Sequence, residues 1–112
     1  QAEDGIRDVE RSRGLGDVYK RQLENHFKEI KKYGVKNLGV FGSFAKGTPR
    51  DDSDVDILVE FQPGKKTFMN FIHLAFYIEE LLGRKVELVT SESLSPYLKP
   101  YIMEEVIFVR GD

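Results

Sequence analysis

The sequence predicts a single α/β (α+β) domain in which a small mixed β-sheet packs with helices. Two observations point to this fold class. Residues 54–61 alternate apolar and polar side chains as a half-buried strand does, and segments on either side carry apolar residues at helical spacing. The 112 residues, 40% of them hydrophobic, suffice for one modest core and leave no room for a second folded domain. The order helix, strand, strand, helix, strand, helix therefore predicts one layered domain.

The N-terminal part divides into a leader and a helix. Residues 1–16 carry seven charges and no aromatic residue, so we expect a disordered leader, whose native origin is left open. The predicted domain covers residues 17–112. Asp17 is expected to cap the first helix, and Gly34 to end it. The core stripe of this helix consists of Tyr19, Leu23, Phe27 and Ile30.

Two short strands follow and are expected to pair. Residues 37–41 form an apolar run that is too short for a helix. In the next strand, 54–61, alternate residues face the core, namely Val55, Ile57, Val59 and Phe61. The connection between the strands is too short for the helical crossover that parallel neighbours need, so we predict an antiparallel pair. This arrangement brings Gly42 and Ser43 beside Asp54.

A long helix and a third strand are predicted next. Thr67 is a suitable N-cap, and Gly83 is a suitable C-terminal stop. The core stripe of this helix is expected to consist of Phe68, Phe71, Ile72, Ala75, Ile78 and Leu82. Residues 84–90 are short, apolar and rich in valine, which predicts the third strand.

The C-terminal segment is expected to hold one more helix and a small strand. Residues 91–105 are predicted to be helical in part. Pro96 and Pro100 cannot both lie in the first turn of one regular helix, so the start of that helix is left open. Residues 106–109 are apolar and predict a small final strand.

Composition excludes several classes of function. The net charge is −2, with 17 basic and 19 acidic residues, which disfavours broad nucleic-acid binding. The chain has no cysteine, which excludes disulfides and thiolate chemistry, and only two histidines, His26 and His73, which disfavours a zinc site. No apolar run approaches the roughly 18 residues of a membrane span. These features predict a cytoplasmic protein.

The residues with catalytic potential lie where the two paired strands meet. Asp54 and Asp56 sit in a strand although aspartate is depleted in strands, and their Cα atoms are expected to be ~6.6 Å apart on one face. Paired carboxylates of this kind suit hard divalent cations. Ser43 begins a short stretch able to form a helical turn, whose free N–H groups can hold phosphate oxygens, and Gly42 permits close backbone approach.

These residues carry a resemblance to a known family. Gly42-Ser43, ten residues, and then Asp54-Val55-Asp56 resemble the G-S-x10-D-x-D signature of the DNA polymerase beta-like nucleotidyltransferase superfamily. The flanking GSFAKG and SDVDILVEF are similar to its minimal nucleotidyltransferase (MNT) branch. The resemblance covers about 35–110. It implies a palm-like sheet that binds a nucleoside triphosphate with two Mg²⁺ ions and transfers the nucleoside monophosphate to a hydroxyl, releasing pyrophosphate.

The resemblance also assigns roles to individual residues. It implies that Gly42 and Ser43 hold the triphosphate and that Asp54 and Asp56 ligate metal. The third acid of such sites falls on Glu87, where relatives most often have aspartate. A third carboxylate can help to deprotonate the attacking hydroxyl, and Glu87 is the local candidate for this role.

Three functions remain open from the sequence. The resemblance to MntA-type antitoxins implies that AMP from ATP is placed on a tyrosine of a HEPN-domain toxin. The second hypothesis is an enzyme that modifies a small hydroxylated molecule such as an aminoglycoside. The third is a non-catalytic module that neutralises a toxin by contact. Base preference, acceptor and assembly as a homo- or hetero-oligomer are not fixed by the sequence.

Overall fold

The computed structural model describes residues 16–46 and 54–111. Residues 1–15 of the predicted leader, and residues 47–53 of the predicted connection, lie outside the described ranges. The elements in chain order are α1 (16–25 in its described part), α2 (Phe27–Lys31), β1 (Val35–Phe41), α3 (Ser43–Lys46), β2 (Val55–Phe61), α4 (Phe68–Leu82), β3 (Val86–Thr90), a 3-10 turn (Ser91–Ser93), α5 (Lys99–Glu105) and β4 (Ile107–Val109).

The four strands form one mixed sheet in the order β3-β2-β1-β4. β1 pairs antiparallel with both β2 and β4, and the short connection between β1 and β2 favours the first of these pairings. β2 and β3 are parallel, and α4 supplies the crossover between them. The predicted α/β fold with a small mixed sheet is therefore confirmed, including the antiparallel pairing of the first two strands.

One face of the sheet is covered by helices, and the core lies between them. The alternation predicted for β2 is confirmed, since all four core-facing residues of that strand are buried. Helices α1, α2 and α4 contribute the other side of the core. The largest fully buried side chains of these three helices are Leu23, Ile30, Leu74 and Ile78.

The first predicted helix is in fact two helices. Asp17 is not its N-cap, because residue 16 is already helical. A turn at His26 separates α1 from α2. The backbone N–H of His26 donates to Leu23 O at 3.3 Å, while its ring Nδ1 lies 3.1 Å from Gln22 O, the carbonyl that an unbroken helix would pair with that N–H. The side chain of His26 thus replaces its backbone as the partner of Gln22, and the helix breaks there.

Helix α4 begins and ends as predicted, and four of its six predicted core residues are confirmed: Ile78 and Leu82 are buried, and Phe71 and Ala75 pack against the core. Thr67 Oγ1 accepts a hydrogen bond from Asn70 N at 3.1 Å, and Gly83 ends the helix in the left-handed conformation, with φ 68°. The prediction that Phe68 is a core residue was wrong, because it is 74% exposed, whereas Leu74 is fully buried. Phe68 lies in the first turn, where it lines a surface cavity beside β3 and does not reach the core.

The structure shows where the last helix begins, which Pro96 and Pro100 left open in the sequence. α5 begins at Lys99 with Pro100 in its first turn, and Pro96 lies before the helix in a turn. The predicted final strand is β4, which pairs with β1. No helix in the described ranges is long and apolar enough to cross a membrane.

Candidate active site

Gly42 and Asp56 lie against one another at the end of β1. The sheet register pairs Phe41 with Asp56, so Gly42 follows directly beside that carboxylate. A Cβ atom at Gly42 would overlap Oδ2 of Asp56, and the φ of Gly42 is 74°, in the left-handed region. Both the close approach and the backbone angle therefore require glycine at this corner.

Ser43 begins the short helix α3, and its neighbour Phe44 anchors that helix in the core. Phe44 is 1% exposed and packs edge to face with Tyr19, with the ring centroids 5.5 Å apart. The guanidinium carbon of Arg84 lies 5.1 Å from the centroid of the Phe44 ring. Ser43 is thus held just after the C-terminal end of the central strand β1. It begins a helix whose first N–H groups have no intrahelical acceptor.

Glu87 lies next to Asp56 in the sheet. The parallel register of β2 and β3 pairs these two residues directly. Burial, a hydrogen bond that protonated Asp56 donates to the Glu87 carboxylate, and the negative charges of Glu87, Asp54 and Glu105 raise the pKa of Asp56 from 3.8 to about 6. The sequence placed Asp56 and Glu87 correctly as neighbours, and the longer side chain of Glu87 does reach Asp56.

Glu105 is a further acid at this site, and the sequence analysis missed it. Its Oε1 accepts a hydrogen bond from the backbone N–H of Gly42 at 3.3 Å. The two residues are 63 positions apart, and Glu105 belongs to no motif in the sequence. Only the folding of α5 over the end of β1 brings it there.

The chemistry of the carboxylates suits Mg²⁺, although they are not assembled as a closed ligand group. Asp54, Asp56 and Glu87 offer only hard oxygen donors, which Mg²⁺ prefers. The pKa of Asp56 is raised first by burial and then by the neighbouring negative charges, and a bound cation would offset those charges. Within residues 16–46 and 54–111, however, no three acidic or histidine side chains converge closely enough to hold a metal ion. The oxygen donors are therefore of the type that Mg²⁺ prefers, and Asp56 and Glu87 are adjacent, but the three carboxylates do not converge on one point.

Of two cavities near the sheet, only one lies on the same face as the site carboxylates. The sheet-face cavity, of about 200 Å³, lies on the same side of the sheet as Asp56 and is lined by Asn37, Leu38, Leu58, Glu60, Ser91, Met103 and Phe108. A larger cavity of about 360 Å³ lies between the start of α4 and the edge strand β3, and none of the site carboxylates lines it. Size alone would favour the second cavity, but only the first shares a sheet face with the acids.

The chain matches a known family over most of its length. The profile of a family described as Nucleotidyltransferase domain matches residues 20–109. The chain is 42% identical, over 88 residues, to Protein adenylyltransferase MntA of Thermococcus cleftensis; the match covers 78% of this chain and 88% of that relative.

Solved structures give the same result for the fold. A chain assigned as a minimal nucleotidyltransferase superposes with a TM-score of 0.70 at 34% identity, covering 83% of this chain and 93% of that one. An MNT antitoxin in complex with a tri-AMPylated HEPN toxin of Shewanella oneidensis superposes with a TM-score of 0.58 at 20% identity, covering 83% and 73%. The second likeness is one of fold alone.

Proposed function

The chain belongs to the nucleotidyltransferase domain family and to its minimal nucleotidyltransferase branch, and we propose that it transfers AMP from ATP to a tyrosine hydroxyl of a HEPN-domain toxin. In this role it acts in the cytoplasm as the antitoxin of the pair. The observation that carries the proposal is the contact of the Gly42 corner with Asp56, beside which Glu87 lies. The 42% identity to an MntA adenylyltransferase supports AMP as the group transferred.

Each site residue has a part in the proposed transfer. Ser43 and the backbone at Gly42 hold the triphosphate, and Asp54, Asp56 and Glu87 are the residues that would hold Mg²⁺. The ions would offset the negative charge of the phosphates and stabilise the attacking and leaving oxygens.

The reaction is one in-line displacement. The tyrosine oxygen attacks the α-phosphorus, and a bond forms between them. The bond from that phosphorus to the oxygen bridging to the β-phosphate breaks, and pyrophosphate leaves with the bonding electron pair. The hydroxyl proton passes to the carboxylate of Glu87, which lies beside Asp56 where the acceptor must approach.

Transfer of label tests this proposal. The protein is incubated with α-³²P-ATP and Mg²⁺, with a HEPN toxin in one arm and aminoglycosides in the other. We expect label on a toxin tyrosine and loss of toxicity, and neither with the double variant Asp54→Asn, Asp56→Asn. Label on the drug alone would favour the small-molecule enzyme. Full neutralisation by a folded double variant would favour a non-catalytic module.

A further inference from the structure

We propose that the sheet-face cavity is the acceptor subsite, and that it receives the phenol ring of the tyrosine that is modified. The proposal rests on the proposed function and adds to it the place and chemistry of acceptor recognition. No sequence motif marks this cavity, because its walls come from β1, β2, β4 and α5 together with the 3-10 turn.

The cavity lies at the right distance from the carboxylates. Leu58, in its floor, follows Asp56 by two positions on β2 and points to the same face of the sheet. Two positions along a strand span ~6.6 Å, about the length of a tyrosine side chain. A tyrosine whose Cα lies over Leu58 and whose ring points along β2 would thus bring its hydroxyl to Asp56 and Glu87, which are paired across the sheet.

The nucleotide approaches the same carboxylates from the opposite side. Along β1, Gly39 pairs with Leu58, Phe41 pairs with Asp56, and Gly42 lies beyond them at the strand end. The triphosphate corner and the sheet-face cavity therefore lie on opposite sides of the carboxylate at 56. Attacking and leaving oxygens must lie roughly in line with the phosphorus, and this placement permits it.

The cavity also has the size and polarity that a phenol ring needs. Its volume of about 200 Å³ exceeds the ~150 Å³ of an apolar cavity that holds benzene. Two large apolar side chains at the cavity remain partly exposed, Met103 at 38% and Phe108 at 46%. Thioether and aromatic groups of this kind make favourable contacts with an incoming ring.

The polar residues of the cavity disfavour a purine as the occupant. Asn37 Nδ2 donates to Glu60 Oε1 at 2.6 Å, so one amide hydrogen and one carboxylate oxygen are already engaged. A purine edge would compete with this hydrogen bond for partners of its own. A phenol ring needs no hydrogen bond from Asn37 or Glu60, because its only polar atom, the hydroxyl oxygen, points to the site carboxylates.

Variants of the cavity wall test the proposal in the transfer reaction. Met103→Trp fills the cavity from α5, and we expect the KM for the toxin to rise at least tenfold while the Kd for ATP stays unchanged. Phe108→Ala removes one wall and should raise the same KM about fivefold. Phe76→Ala, at a phenylalanine 62% exposed on α4, is the matched control and should change neither value. Weaker ATP binding with an unchanged toxin KM would overturn the proposal, as would no change in either.

A binding measurement keeps this inference separate from the proposed function. The wild-type protein is titrated with N-acetyl-tyrosinamide, and in parallel with adenosine and N-acetyl-serinamide, while backbone amide signals are followed by NMR. We expect the tyrosine amide alone to shift the signals of Leu58, Met103 and Phe108. Shifts with adenosine alone, or with none of the three probes, would overturn the cavity assignment. Absence of transfer by the wild-type protein to any toxin would instead count against the proposed function.

Discussion

Glu105 Oε1 accepts a hydrogen bond from the backbone N–H of Gly42, with 3.3 Å between nitrogen and oxygen. The backbone N–H of Gly42, which we assign to the triphosphate, is therefore already bonded to a carboxylate oxygen. Its charge also acts on Asp56, where it contributes to the raised pKa. An anionic nucleotide must either displace Glu105 or tolerate its charge, so this contact opposes nucleotide binding.

Replacement of Glu105 by glutamine should therefore tighten nucleotide binding. The amide oxygen of Glu105→Gln can still accept from Gly42, but the negative charge is gone. Unit charges at about 4 Å interact by about 1 kcal/mol in a water-like dielectric, which corresponds to a roughly fivefold lower Kd for ATP. Isothermal titration with ATP and Mg²⁺ measures the effect. The neighbouring exposed residue provides the control variant Glu104→Gln, which should leave the Kd unchanged. A weaker Kd for Glu105→Gln would mean that Glu105 supports the nucleotide site.

Alanine substitutions at two glycines with nearly the same φ can distinguish the effect of backbone strain from the effect of the contact with Asp56. Gly42 has φ 74° and lies against Asp56, whereas Gly64 has φ 76° and nothing within 4 Å of an added Cβ. Alanine at either position should cost about 1–2 kcal/mol of unfolding free energy, because both adopt the left-handed conformation. Only Gly42→Ala forces the Asp56 carboxylate to rotate away, so only this variant should lose AMP transfer, by at least tenfold.

Denaturant unfolding and transfer rates, measured on both variants, check this prediction. Equal loss of AMP transfer in Gly42→Ala and Gly64→Ala would show that the contact between Gly42 and Asp56 does not contribute to the reaction.

Asp56 should destabilise the fold at neutral pH in the absence of metal. Its pKa rises from 3.8 to about 6 on folding, so the native state binds the proton more tightly than the unfolded state. Stability contributed by this proton is present at low pH and is lost as the pH rises through 6. Asp56→Asn should then be more stable than wild type at pH 8 by about 1 kcal/mol, a value reduced for solvent screening of a half-exposed group.

Urea denaturation at pH 4 and pH 8 without divalent ions measures this difference. The stabilisation by Asp56→Asn should be much smaller at pH 4, where the folded-state carboxyl is protonated and the unfolded one, with its pKa of 3.8, is close to half protonated. Glu80→Gln, at an exposed position of α4, provides the control and should show no such pH dependence. A stabilisation that is equal at both pH values would exclude titration of Asp56 as its cause.

The strand pair that carries the site could be predicted from the sequence because its signals are local. The alternation in β2 indicates which side chains are buried, and the short connection favours antiparallel pairing, which brings Gly42 to the start of β2. The sequence predicted Asp54 as the neighbour of Gly42, and the structure sets Asp56 against it. Glu105 could not be predicted in this way. Its position depends on where α5 begins, which the two prolines left open, and on a contact over 63 residues.

The errors within helices have a similar origin. The break at His26 depends on a side chain that takes a backbone acceptor, and helical periodicity does not report this. Phe68 fits the apolar spacing of α4, but the spacing does not show that its helical turn lies beside the edge strand. Apolar patterns thus indicate which face of a helix is buried, and tertiary packing decides where along the helix burial begins.

Glu87 should contribute to proton transfer and not merely to the sheet. Glu87→Gln keeps the size of the side chain and its place beside Asp56, but removes the proton acceptor. Loss of a general base typically costs 10²- to 10⁴-fold in rate, and we expect kcat to fall by at least ~100-fold. Glu87→Asp retains a carboxylate and should keep part of the activity. Single-turnover transfer from labelled ATP to the toxin, recorded from pH 5 to 9, measures the loss. If Glu87→Gln retains the wild-type kcat and pH profile, the proton must leave by another route and Glu87 is a structural residue of β3.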